Sequence, residues 1–137
     1  MAAPHRFYIF SKDLSDKKHN FGSDTFKVML SNVAPIASNT IKTDITEIVA
    51  GFGYLAGGTA TAITESTSAG VYKGVGANVV FTATGVVGPF RYAILYNDTS
   101  ATKPLICWWD NGESITLANT EVFTVALDAT NGILQIA

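Results

Sequence analysis

Charge is scarce in this sequence: Asp, Glu, Lys and Arg together make up 15% of its 137 residues, against about 25% in an average soluble domain. A surface so poor in charge has less solvated area to present, which favours a chain that shows apolar surface to a partner. Cysteine is nearly absent. Cys107 stands alone, so no internal disulfide forms and no structural zinc site can be built on thiols. Its neighbours Leu105, Ile106, Trp108 and Trp109 mark it as a small buried hydrophobe and not a nucleophile. Histidine is limited to His5 and His19, both near the N-terminal end, where neither has the context of a relay base.

No apolar run approaches the ~20 residues that cross a bilayer, so no membrane is expected as a partner. The formal net charge of −2 provides no basic field for nucleic acid. Tyr92, Tyr96, Trp108 and Trp109 would suit a stacking platform, but no basic groove accompanies them. No spacing of His, Cys, Asp and Glu suits a metal. The stretch Gly51-Phe52-Gly53-Tyr54-Leu55-Ala56-Gly57 imitates a dinucleotide fingerprint with the wrong final spacing, and it reads as a flexible connection. The expectation is a non-enzymatic chain without cofactor or metal. The first residues, Met-Ala-Ala-Pro-His-Arg, lack the apolar centre of a signal peptide, which points to synthesis and folding in a cytosol.

What the sequence has in abundance is period-2 alternation in short runs separated by turn residues. Candidate strands fall at 6–10, 24–31, 59–66, 71–75, 77–84, 89–96, 104–109, 114–118, 121–128 and 132–136. Phe90, Tyr92, Ile94 and Tyr96 would share one face. Asp110-Asn111-Gly112 and Asn131-Gly132 have the chemistry of hairpin turns. A short helix is expected at 44–50, where Asp44 and Glu47 have capping-box spacing and Gly51 can close the end. Residues 11–23 are polar and read as a long loop or arm. Strands at roughly ten-residue intervals with one short helix specify a single all-β domain over 1–137, an antiparallel jelly roll or β-sandwich.

Charge is unevenly spread. Residues 1–30 carry five bases against three acids, and residues 98–137 one base against five acids. Lys17 and Lys18 in the polar arm are candidate contacts to another chain. Trp108 and Trp109 are adjacent on a strand, so one should enter the core while the other faces outward, either half-covered by a neighbouring loop or part of an interface, where tryptophan is enriched.

The C-terminal third carries a resemblance. Phe-Arg-Tyr-Ala-Ile-Leu-Tyr-Asn-Asp-Thr (90–99), Lys-Pro-Leu-Ile-Cys-Trp-Trp-Asp-Asn-Gly (103–112) and Val-Phe-Thr-Val-Ala-Leu-Asp-Ala-Thr-Asn-Gly-Ile-Leu-Gln-Ile (122–136) resemble the C-terminal part of small virion proteins of tailed bacteriophages. Among these are jelly-roll cement, or decoration, proteins of the capsid exterior. The resemblance implies a structural, homo-oligomeric protein (dimer or trimer) that binds the major capsid protein and cements neighbouring subunits. It would be made in the bacterial host cytoplasm and end on the virion. A tail or fibre component and a carbohydrate-binding jelly roll are the alternatives.

Overall fold

The computed structural model describes residues 3–137. The elements are β1 (His5–Arg6), α1 (Ile9–Ser15), β2 (Phe26–Ser31), β3 (Thr59–Thr61), β4 (Ile63–Ser68), β5 (Val71–Gly76), β6 (Val79–Thr82), β7 (Val87–Asn97), β8 (Leu105–Leu117), β9 (Val122–Val125) and β10 (Leu134–Ile136). All pairings are antiparallel. A five-stranded sheet in the order β1-β8-β7-β2-β3 faces two smaller sheets, β10-β5-β4 and β6-β9. The result is the all-β sandwich with one short helix that the alternation specifies.

The central sheet is buried on both sides, because β2, β7 and β8 are apolar at successive positions as well as alternate ones. Val28, Leu30, Ala93, Leu95, Cys107 and Trp109 enter the main core with Val79, Phe81, Val125 and Leu134 of the smaller sheets. Met29, Ile94, Tyr96 and Leu105 project the other way and pack with Phe7 and Ile45. Cys107 is buried, and burial pushes its thiol up to about 12, in line with the inert hydrophobe read from its neighbours.

Several expected elements are corrected. The helix is not at 44–50. That region holds a 3-10 turn at Lys42–Asp44 and then runs extended, bridging Ser31 through Glu47. The Asp44 carboxylate turns back to accept from the backbone N–H of Thr40 (2.9 Å) and Ile41 (3.2 Å). Glu47 is drawn away by Tyr54 and Gly57, whose O–H and N–H both donate to it at 2.6 Å. Two turns of helix are marginal alone, and these outside partners win. The helix that does form, Ile9–Ser15, takes the end of the expected strand at 6–10. Phe10 and Leu14 have the i, i+4 spacing of a helical face and pack on the main core, whereas Phe7 precedes the helix and packs in the second cluster.

Residues 11–23 are therefore no free arm. They form most of α1, where Asp13 is buried, and a loop whose His19 and Phe21 are buried, with Phe21 stacked on Phe26 at 4.6 Å and 5°. Asp110-Asn111-Gly112 is not a hairpin turn either. It bulges out of a continuous β8, between the Tyr92–Asp110 and Phe90–Ile115 pairs. Asp110 grips Arg91 at 2.8 and 3.1 Å and accepts from the Gly112 N–H at 2.8 Å. The bulge re-aims the side chains before it, so Phe90 enters the main core while Tyr92, Ile94 and Tyr96 sit on the opposite face. Asn131-Gly132 does turn the chain, with Gly132 at φ 75°, but β9 and β10 then pair with β6 and β5 and not with each other.

The glycine-rich stretch 51–58 is pinned, not loose. Tyr54 is buried, receives the Leu30 N–H at 3.1 Å and donates to Glu47. The Tyr96 hydroxyl donates to the Gly57 carbonyl at 2.6 Å. Gly58 has φ 83°, and a Cβ there would lie 1.9 Å from the Val28 carbonyl oxygen. Only glycine allows the chain to pass that close to β2.

Candidate interaction surfaces

The four residues singled out in the sequence do not converge. Lys17 is exposed in the turn after α1, with φ 63°. Lys18 is exposed beside it, its ammonium 3.3 Å from Asp13 Oδ1. Trp109 is 4% exposed within the main core and is closed to a partner. Trp108 is the outward-facing one of the pair, but the N-terminal segment half-covers it. Its ring stacks on His5 at 5.1 Å and tilts against Phe7 at 4.6 Å. The two tryptophans do point to opposite faces as alternation requires, and the outer one is partly covered by its own chain.

The buried polar cluster behind Lys18 holds the 11–23 segment in place. Asn97 Oδ1 accepts from the backbone N–H groups of Thr99 (2.9 Å) and Ser100 (3.1 Å), which fixes the amide orientation. Asn97 Nδ2 then faces the Lys18 carbonyl (3.2 Å), His19 Nδ1 (3.2 Å) and Asp24 Oδ2 (2.8 Å). An amide donor opposite Nδ1 makes that nitrogen an acceptor, so the proton of neutral His19 sits on Nε2. Burial lowers the His19 pKa, opposed by the nearby Asp13 and Asp24 carboxylates and aided by Lys18. The unfolded chain, with a histidine near 6.5, then binds a proton that the folded chain resists. This contribution to stability is complete above the unfolded value and is lost as pH falls below it. The denaturant midpoint is expected to drop between pH 7 and pH 5, and to drop less in His19→Gln. Equal slopes for the two proteins would assign the loss elsewhere.

A different surface stands out once the fold is known. Residues 48–64 and 74–90 contain no charged side chain, yet four strongly exposed apolar residues lie on them. Val49 is 91% exposed, Leu55 71%, Val86 64% and Phe52 62%. Val49, Phe52 and Val86 connect through the fold. The Phe52 carbonyl accepts from the Thr84 N–H at 2.8 Å, and its ring lies over Gly85, next to Val86. Beyond Val86, Gly88 and Pro89 line a shallow groove together with Val33, Glu47, Ile48 and Val49. On the other side, Val80 and Val122 are exposed on the outer face of the β6–β9 pair. Sequence reading missed this path, although its signal, two long uncharged stretches, is plain in the sequence.

A second concavity of about 430 Å³ lies between the 14–21 segment and the β4–β5–β10 sheet. Lys17, His19, Asn20, Glu65 and Tyr72 supply its polar groups, and Leu134 and Ile136 line it too. Tyr72 donates to Glu65 at 2.9 Å, and its hydroxyl is pushed up to about 12, by burial first and then by this carboxylate. Compared with protein-family models, with curated proteins and with solved structures, the chain finds no match in any of the three.

Proposed function

We propose that this chain is a non-enzymatic structural protein of a virion, which binds the outer capsid surface and cements neighbouring major capsid subunits as a homo-oligomer. The observation that carries the reading is the uncharged, exposed apolar path through Val49, Phe52 and Val86. Apolar patches of this kind mark protein-binding surfaces. The C-terminal resemblance to small phage virion proteins supplies the kind of partner. A rigid sandwich with its side chains already ordered loses little entropy on docking, and repetition over a lattice multiplies a modest energy per site. The attachment surface is the apolar path and not the 11–23 segment, which is committed to the core.

The test is occupancy on capsids of the phage that encodes the chain, read by cryo-EM or co-sedimentation. Val49→Asp and Phe52→Asp alter exposed side chains and should leave the fold intact while lowering occupancy at least about tenfold, the effect of losing ~1.4 kcal/mol per site. Absence from the particle, or unchanged occupancy with both variants, would overturn the reading. The groove beside Tyr72 favours one second reading, carbohydrate binding, since an aromatic with flanking carboxylate and amide groups suits a sugar. Glycan-array binding abolished by Tyr72→Ala, with no capsid attachment, would establish it instead.

A further inference from the structure

Open sheet edges are templates for further strands, and proteins blunt them with short strands, prolines, lysines or bulges. Most edges here follow that rule by length. β1 has two residues, β3 and β10 three each, and β6 and β9 four each. β4 is the exception. It runs for six residues, Ile-Thr-Glu-Ser-Thr-Ser, paired with β5 in unbroken register on one side and with no described strand on the other, where the Glu65 side chain meets a neighbour, Gly22. It contains no proline, lysine or bulge, and residues 64–68 are all exposed. A tight turn with Ala69 at φ 50° and Gly70 at φ 79° holds it against β5. Such a hairpin presents a straight, preformed edge.

We propose that the β4 edge pairs with the β4 edge of a second copy of this chain, joining two three-stranded sheets into one of six strands across a two-fold axis. The sequence of β4 fits its own reverse. A two-fold axis normal to the sheet keeps each residue on its own face, so directly opposed residues must differ by an even number of positions. Centred on Ser66, the pairing sets Ser66 against Ser66, Glu65 against Thr67 and Thr64 against Ser68. The single charged residue then faces a hydroxyl and not its own mate, and like charges directly opposed are what destabilise a strand pair. The opposed hydroxyl side chains are small enough to let the backbones close. A foreign partner has no such built-in register. This inference deepens the homo-oligomeric part of the proposed function, and it is read in solution without any capsid.

The experiment is sedimentation velocity and light scattering over a concentration series, with three variants. The wild type should show a monomer–dimer equilibrium. Ser66→Lys sets two lysines against each other at the axis and should weaken the dimer at least about tenfold, because opposed like charges at an interface are strongly unfavourable. Thr124→Lys, a comparable change on β9 away from β4, should leave it unchanged. Ser66→Cys under mild oxidation should give a covalent dimer through the new thiol, since Cys107 is buried. A wild type that is monomeric throughout overturns the proposal, as does a dimer that Ser66→Lys leaves intact with no Ser66→Cys cross-link. Either failure leaves the capsid-attachment variants at Val49 and Phe52 to be judged on their own result.

Discussion

Gly58→Ala is expected to destabilise the protein by more than about 4 kcal/mol, or to prevent folding altogether, a range reached only by a short list of mechanisms. Two of them coincide here. Gly58 sits at φ 83°, where an L side chain is strained, and its Cβ would lie 1.9 Å from the carbonyl oxygen of Val28 and 2.6 Å from the carbonyl carbon. The obstacle is backbone of a central strand, so no rotamer change relieves it. β2 would have to shift, and β2 is hydrogen-bonded to both β7 and β3. Gly51→Ala is the matched control: φ there is 138°, but nothing lies within 4 Å of the added carbon. It should cost only the local strain of about 1–3 kcal/mol. Urea unfolding of the two variants separates the contributions. Similar midpoints would mean that the close approach to Val28 carries no energy.

Trp109→Ala is expected to cost about 3–5 kcal/mol, the usual effect of emptying a core aromatic site. Trp108→Ala should cost about 1–2 kcal/mol, since only part of its ring is covered and its partners are two aromatic contacts. The pair is informative because the residues are adjacent and chemically identical, so the difference reports only which face each occupies. If Trp108 also touched a capsid subunit, its variant would lose attachment beyond what its stability loss explains. A cost for Trp108 equal to that for Trp109 would show that the second cluster, with Phe7 and Ile94, is as consequential as the main core.

The strands were legible in the sequence because alternation and turn residues coincide along most of the chain. The same reasoning put one of Trp108 and Trp109 in the core without saying which, and placed Cys107 inside. It failed where a side chain had two structural uses. Glu47 has the spacing of a helix cap but serves Tyr54 and Gly57. Asp110 heads a turn-like tripeptide but is occupied by Arg91 in mid-strand. Polarity misled at 11–23, where Asp13 and His19 look solvated but are buried in company with Asn97, more than seventy positions away. The apolar path was missed for the opposite reason. Val49 and Phe52 look like core residues one at a time, and only the fold shows that they face outward.

The strand order also bears on how the chain is made. β2 brings Phe26, Val28, Met29 and Leu30 out of the ribosome early, yet its partner β7 follows roughly sixty to seventy residues later, several seconds at about 5–20 residues per second. β1 waits longer still for β8. During that interval an apolar strand buried on both faces in the finished protein has at most the three-residue β3 to pair with. Folding must therefore be largely completed after the last strands emerge, at the slow rates typical of distant β pairings. A cell making many copies at once holds a population of nascent chains open to aggregation, and a chaperone that shields residues 26–31 would raise the yield of folded protein.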